Sequence, residues 1–192
     1  TSWDAAKFET CAHKWVDMAD NNYGVALLND CKYGYSTEGN TIKLTMLKCG
    51  TYPNKFSDIG KHTFTYSLMG HTGSFREAGV INEAYALNQP MCAKRVAKRN
   101  GVMPENYSLV STNNKNIIIE TVKKAEDDSS MIVRMYEAFD CRTTAEITVT
   151  DGFKKAYLCD LMENEISKLE FKDNKVKLPV SNFEIITLKF EK

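Results

Sequence analysis

The sequence predicts a mostly β protein: two packed antiparallel sheets forming a β-sandwich, with one short helix. Three observations carry this. Apolar residues recur with period two in many short runs. Gly, Asn and Asp clusters separate the runs. One stretch alone, near 74–88, switches to helical spacing.

Taken in order, Phe8 to Val16 alternates loosely and ends at the turn cluster Asp20-Asn21-Asn22. Tyr23 to Leu28 is almost continuously apolar and reads as a buried strand. Glu38-Gly39-Asn40 turns the chain into Thr41–Lys48, a half-buried strand, and His62–Met69 sets Phe64, Tyr66 and Leu68 against Thr63, Thr65 and Ser67. Ser74-Phe75-Arg76-Glu77 then has the S-x-x-E form of a capping box, in which hydroxyl and carboxylate satisfy free helix amides reciprocally. It predicts one helix over 74–88, ending before Pro90, with Gly79 as its weak point. Residues 91–105 read as a polar, basic surface loop, and the rest as a second β-rich half with strands at 107–111, 116–124, 131–139, 144–150, 154–161, 168–171, 175–180 and 183–190. Lys172-Asp173-Asn174 is a hairpin turn. No repeat or composition shift marks a boundary, so residues 1–192 are expected to form a single domain.

Composition narrows the function classes. The 25 basic and 25 acidic residues cancel to a formal charge of zero, so no global field favours nucleic acid or an anionic membrane. Lys94-Arg95 and Lys98-Arg99 are too short for a phosphate-tracking surface. No apolar run approaches the roughly 20 residues of a membrane span. The six cysteines contain no C-x-x-C pair, and no histidine lies at finger spacing, which argues against structural zinc. Several fall inside apolar patterns and are expected to be buried reduced thiols. With no charged-then-apolar leader, a cytoplasmic location is expected. Because the chain opens on Thr1, with Trp3 and Phe8 following at once, it reads as a piece of a longer polypeptide.

The segment richest in chemistry is Tyr23–Tyr35, where the apolar strand stops abruptly in Asn29-Asp30-Cys31-Lys32-Tyr33-Gly34. It brings a carboxylate, an ammonium and a phenol to one sheet edge, a combination suited to sugar hydroxyls. The same residues also make an ordinary polar turn, with an exposed Asp30–Lys32 pair of little energetic worth.

Those residues also carry a family resemblance. Thr1-Ser2-Trp3-Asp4, Phe8-Glu9, Cys11–Trp15 and the Tyr23–Tyr35 run are similar to the C-terminal β domain of family 38 glycoside hydrolases, the retaining α-mannosidases. So are Phe64–His71, Gly73–Val80, Glu120–Glu126, Val133–Ala138 and the closing Pro179–Leu188 strand. The matching words run in order over nearly the whole chain and fit the cytosolic-type branch best. The resemblance implies hydrolysis of terminal α-D-mannose in the full-length enzyme, with a divalent metal, usually zinc, gripping the sugar. The two carboxylates of a retaining mechanism stand about 5–5.5 Å apart. It places the nucleophile, the acid/base and the metal ligands in an N-terminal catalytic domain, the expected partner, so no catalytic or metal-binding residue is expected here. The expected ligand is an α-mannoside oligosaccharide met at a shared rim, and homo-oligomerisation is left open.

The rim candidates are Asn29, Asp30, Lys32, Tyr33 and His71. His71 lies between Gly70 and Thr72-Gly73, which reads as a flexible, exposed loop. His13 reads as structural and His62 as a surface residue. Glu126-Asp127-Asp128 reads as a solvated acidic turn, since unburied neighbouring carboxylates have no reason to reach catalytic pKa values. Arg134 and Tyr136 share a strand face and could line a groove; Trp3 and Trp15 could stack on sugar. Two alternatives from other classes stand beside the enzyme reading: an autonomous carbohydrate-binding module, and a purely structural or oligomerisation domain.

Overall fold

The structure, a computed structural model, describes residues 2–5, 8–20, 22–98 and 100–192. Thr1, Asn21 of the first turn cluster and Arg99 of the basic cluster lie outside the described residues. The chain forms two compact units, 1–97 and 98–192.

The first unit contains helix α1 (Ser2–Ala5), strands β1 (Thr10–Cys11), β2 (Trp15–Ala19), β3 (Tyr23–Asn29), β4 (Gly34–Glu38), β5 (Thr41–Thr45) and β6 (Tyr66–Thr72), and helices α2 (Phe75–Ala78) and α3 (Val80–Asn88). Two antiparallel three-stranded sheets result, ordered β1-β4-β5 and β2-β3-β6. Alternation along β3 turns Ala26 and Leu28 toward Val80 and Ala84 of α3, with Trp15, Met69, Phe75 and Leu87 packed around them. Trp15 is therefore a core residue, its ring 5.0 Å from that of Phe75; Trp3 is exposed. The single strand expected over 8–16 is broken by Lys14, which adopts a left-handed φ of 70°.

The helix expected over 74–88 is two helices. The Ser74–Glu77 capping box forms as read, but Gly79 at φ 70° caps α2 and sends α3 off in a new direction. Glycine reaches that conformation without the Cβ penalty of other residues.

The second unit contains β7 (Val110–Thr112), β8 (Ile117–Lys124), β9 (Met131–Glu137), β10 (Thr143–Val149), β11 (Lys155–Cys159), β12 (Glu165–Leu169), β13 (Phe171–Lys172), β14 (Lys175–Val180) and β15 (Ile185–Glu191). A four-stranded sheet, β13-β14-β10-β7, and a five-stranded sheet, β12-β11-β15-β9-β8, enclose one core in a β-sandwich. β14 shows the pattern plainly: Val176, Leu178 and Val180 are buried while Lys175, Lys177 and Pro179 face out. Phe153 and Phe171 meet Phe190 edge-on at 6.0 and 5.8 Å. The predicted hairpin turn joins β13 to β14 with Asp173 and Asn174 at φ 51° and 61°, as a type I′ turn requires.

All six cysteines are free, but five are exposed and only Cys159 is buried. Apolar neighbours in sequence did not imply burial, because Cys11 lies in a two-residue strand, Cys31 in the bend after β3, and Cys49, Cys92 and Cys141 in irregular loops. The acidic turn at 126–128 is surface, yet two of its three charges are partnered: Asp128 lies 3.0 Å from Lys189, and Glu126 pairs with Lys123.

Candidate functional site: the β3–β4 turn

Asn29 closes β3 and organises everything after it. Its Oδ1 accepts the amides of Cys31 (3.1 Å) and Lys32 (2.6 Å), which folds residues 29–32 into an Asx-type turn. Its Nδ2 donates to the hydroxyl of Tyr35, and both side chains are fully buried. The Asn29 carbonyl accepts Asn88 Nδ2 at 3.0 Å, from the end of α3, and its amide donates to the Lys14 carbonyl at 2.9 Å. Asn29 is thus the buried floor of the turn.

The residues above it are displayed. Asp30 does not pair with Lys32; its Oδ1 accepts the Thr65 amide at 2.9 Å while its own amide donates to the Thr65 carbonyl. The Thr65 amide, and after it the Cys31 thiol, hold the Asp30 carboxyl below its ordinary value, and that contact pushes the thiol up. Lys32 Nζ sits 5.2 Å above the Phe64 ring, a cation–π placement. Tyr33 is 53% exposed and meets the His13 ring edge-on at 4.9 Å, while its carbonyl accepts the Ala12 amide. The turn therefore presents a carboxylate, an ammonium and a phenol on a braced backbone.

His71 corrects the sequence reading. Only 7% exposed, it lies inside β6 opposite Gly24, its Nε2 2.7 Å from Oδ1 of Asp17 on β2. The Asp17 carboxylate raises its pKa, with burial opposing. Tyr66, not His71, pairs with Asn29; five residues further along the strand, His71 stands about 17 Å from the turn. His62 is exposed as expected, its Nε2 2.8 Å from the Asp58 carbonyl. His13, expected within a strand, sits in the exposed bend between β1 and β2. Arg134 Nη2 donates to the Leu161 carbonyl at 2.8 Å and lies 3.5 Å from Glu163, tying β9 to a neighbouring turn rather than lining a groove.

One polar centre had no signal in the sequence. Glu137, at the end of β9, is fully buried and accepts from Asn116 Nδ2 (2.9 Å) and the amides of Phe139 (2.8 Å), Cys141 (3.3 Å) and Phe183 (3.0 Å). Burial, the largest single influence, pushes its pKa up; the donors, led by the Phe183 amide, together outweigh it and hold the group at about 2. With no opening to solvent it is a structural anchor.

Two family models match: the glycosyl hydrolases family 38 C-terminal domain over residues 1–56, and the family 38 C-terminal beta sandwich domain over 116–188. The chain belongs to the C-terminal region of glycosyl hydrolase family 38. Among curated relatives, this family 38 chain is 39% identical to Alpha-mannosidase 2C1 of Homo sapiens over 193 residues, covering 98% of this chain and 18% of that protein. It is 41% identical to Alpha-mannosidase G of Dictyostelium discoideum over 197 residues, again covering 99% of this chain and 18% of the relative. The chain thus spans about a fifth of the length of these relatives. In fold it is similar to an alpha-mannosidase from Enterococcus faecalis V583, with a TM-score of 0.77 and 23% identity over 97% of this chain and 22% of that one.

Among the described residues no group of three or more His, Cys, Asp or Glu could hold a metal ion, so these residues do not fit the divalent metal that the family resemblance implies. No helix is long and apolar enough to cross a membrane.

Proposed function

We propose that this chain is the C-terminal, non-catalytic part of a cytosolic-type α-mannosidase that hydrolyses terminal α-D-mannose with retention. In this reading the nucleophile, the acid/base and the divalent metal belong to an N-terminal catalytic domain. The segment buttresses that domain and contributes the β3–β4 turn to the rim of the sugar pocket. What supports this most is the division between Asn29, buried and fully used in holding the turn, and Asp30, Lys32 and Tyr33, displayed above it. A turn braced at its base and polar at its tip loses little entropy on meeting a ligand.

Two measurements test it. The 192-residue chain alone should not turn over an aryl α-mannoside, with or without zinc, whereas the full-length polypeptide should. Turnover by the short chain would refute the assignment of catalysis elsewhere. In the full-length enzyme, Tyr33→Ala and Lys32→Ala should raise KM severalfold with kcat and thermal stability nearly unchanged. Kinetics identical to wild type would remove the turn from the rim and leave the buttressing role standing.

A further inference from the structure

The sheet β2-β3-β6 is packed by helices on one face and only partly covered on the other. Register places Asp17, Gly24, Ala26, Met69 and His71 on the face that includes the helix-packed residues. The opposite face carries Val16 and Met18 from β2, Tyr23, Val25, Leu27 and Asn29 from β3, and Tyr66 and Leu68 from β6; Leu27 and Asn29 are buried, whereas the side toward β6 is open. No charged residue occupies this face on any of the three strands, although 26% of the sequence is charged. Leu68 is 69% exposed, Tyr23 56% and Tyr66 53%. Tyr23 is laid flat along the face, because Gly70 has no Cβ to hold it off; one built there would fall 2.8 Å from the Tyr23 hydroxyl.

The edge is equally unguarded. β6 pairs with β3 alone among the described residues, and its side chains on this face are Tyr66, Leu68, Gly70 and Thr72. Edge strands in water are normally blunted by charge, as β5 is by Lys43, β12 by Glu165 and Lys168, and β8 by Glu120, Lys123 and Lys124. A near-continuous apolar strand whose outward face carries no charge is the pattern of an interior sheet.

We infer that this charge-free face, with the β6 edge, is an intramolecular interface covered by the remainder of a longer family 38 polypeptide. The occupant follows from size: curated relatives carry this segment as 18% of their length. The aliphatic content of the face, Val16, Met18, Val25 and Leu68, matches a protein core and not a sugar platform, which needs aromatic faces framed by hydrogen-bonding groups. The inference rests on the proposed function only in requiring the longer chain.

Hydroxyl-radical footprinting of the full-length polypeptide tests it, read by mass spectrometry at Tyr23, Tyr66 and Leu68, with Tyr52, 92% exposed, as the internal reference. Oxidation should be severalfold slower at the three face residues than at Tyr52, independent of protein concentration and of added mannose. Leu68→Lys should lower the melting temperature and raise labelling of Tyr66; Ser111→Lys, at an exposed position of β7, should do neither. Labelling of Tyr66 on a par with Tyr52 overturns the inference. So does protection lost on dilution, which marks a second copy, or protection that needs mannose, which marks a sugar site. Neither readout uses catalysis: a full-length chain inactive on α-mannosides but protected at Tyr66 defeats the functional reading and upholds the interface, and the reverse result does the opposite.

Discussion

His71 on β6 spans the intervening strand to reach Asp17 on β2, Nε2 to Oδ1 2.7 Å, and passes directly over Gly24 of β3. A Cβ at position 24 would lie 2.4 Å from His71 Cε1 and 2.7 Å from the Ala19 Cβ. Gly24→Ala must therefore displace the imidazole or the strand, with an expected cost of about 1–3 kcal/mol, as in other overpacked interiors. Gly34→Ala, whose Cβ would stand 3.2 Å from that of Thr45, should cost clearly less. Denaturant unfolding compares the two, and equal losses would show that the His71 contact does not set the requirement at 24.

The same pair predicts a pH dependence. Asp17 raises the His71 pKa above its unfolded value, so the folded state binds a proton the unfolded state releases. Its contribution is complete below the ordinary histidine range near 6.5 and is lost as pH rises through the folded value. His71→Gln should abolish that alkaline loss, and Asp17→Asn should weaken it. Stability curves of wild type and His71→Gln that stay parallel from pH 5 to 9 would exclude the ion pair as its source, since proton release by His71 should make them diverge.

Why the sequence misplaced His71 is physically clear. Flanking Gly70 and Gly73 resemble loop punctuation, yet Gly70 lies inside β6, where its missing side chain makes room for Tyr23. Asp17 is 54 residues away in sequence, and periodicity tells which face a residue takes, never which side chain it will meet there. Local signals fared better. The capping box, the Asp173-Asn174 turn and the β14 alternation each depend on neighbours within a few residues, and all formed as read. At the β3–β4 turn the residues were legible as a group, but their ranking was not. Asn29 resembled one polar candidate among several until its bonds to Tyr35 and Asn88 showed it to be the support.

That support can be measured. Asn29→Ala leaves the buried Tyr35 hydroxyl without its donor and frees two turn amides, with an expected loss of about 1–3 kcal/mol per unsatisfied buried group. Tyr35→Phe strands the Asn29 Nδ2 in the same way. Because each single change damages the same bond, the double variant should lose less than the sum, by about 0.5–3 kcal/mol of coupling. Additive losses in urea unfolding would show that the two side chains act independently.

Glu137 makes the opposite pH prediction, in the second unit. Its carboxylate is held at about 2 in the fold against an ordinary 4.5, so the unfolded chain takes up the proton first. The stabilisation is complete above the ordinary carboxylate range and disappears as pH falls from there toward about 2. What is lost is specific: Phe183 sits at a left-handed φ of 55° with its amide 3.0 Å from the carboxylate, and Asp140, at φ 58°, lies between the donors Phe139 and Cys141. These conformations cost energy in non-glycine residues and are held in place by the charge. Glu137→Gln keeps the shape but turns an amide NH2 toward backbone donors, so it should destabilise at neutral pH by about 1–3 kcal/mol. It should also flatten the acid side of the stability profile between pH 4.5 and 2, the window set by the shift. The difference between the two profiles isolates Glu137 from Asp128, held at about 2 by Ser130 and Lys189, and from Glu146, held at about 2 by Lys175 and Lys177. A constant difference across that window would mean that Glu137 does not ionise on its own in the folded state, and the anchor would then be a neutral hydrogen-bonding group.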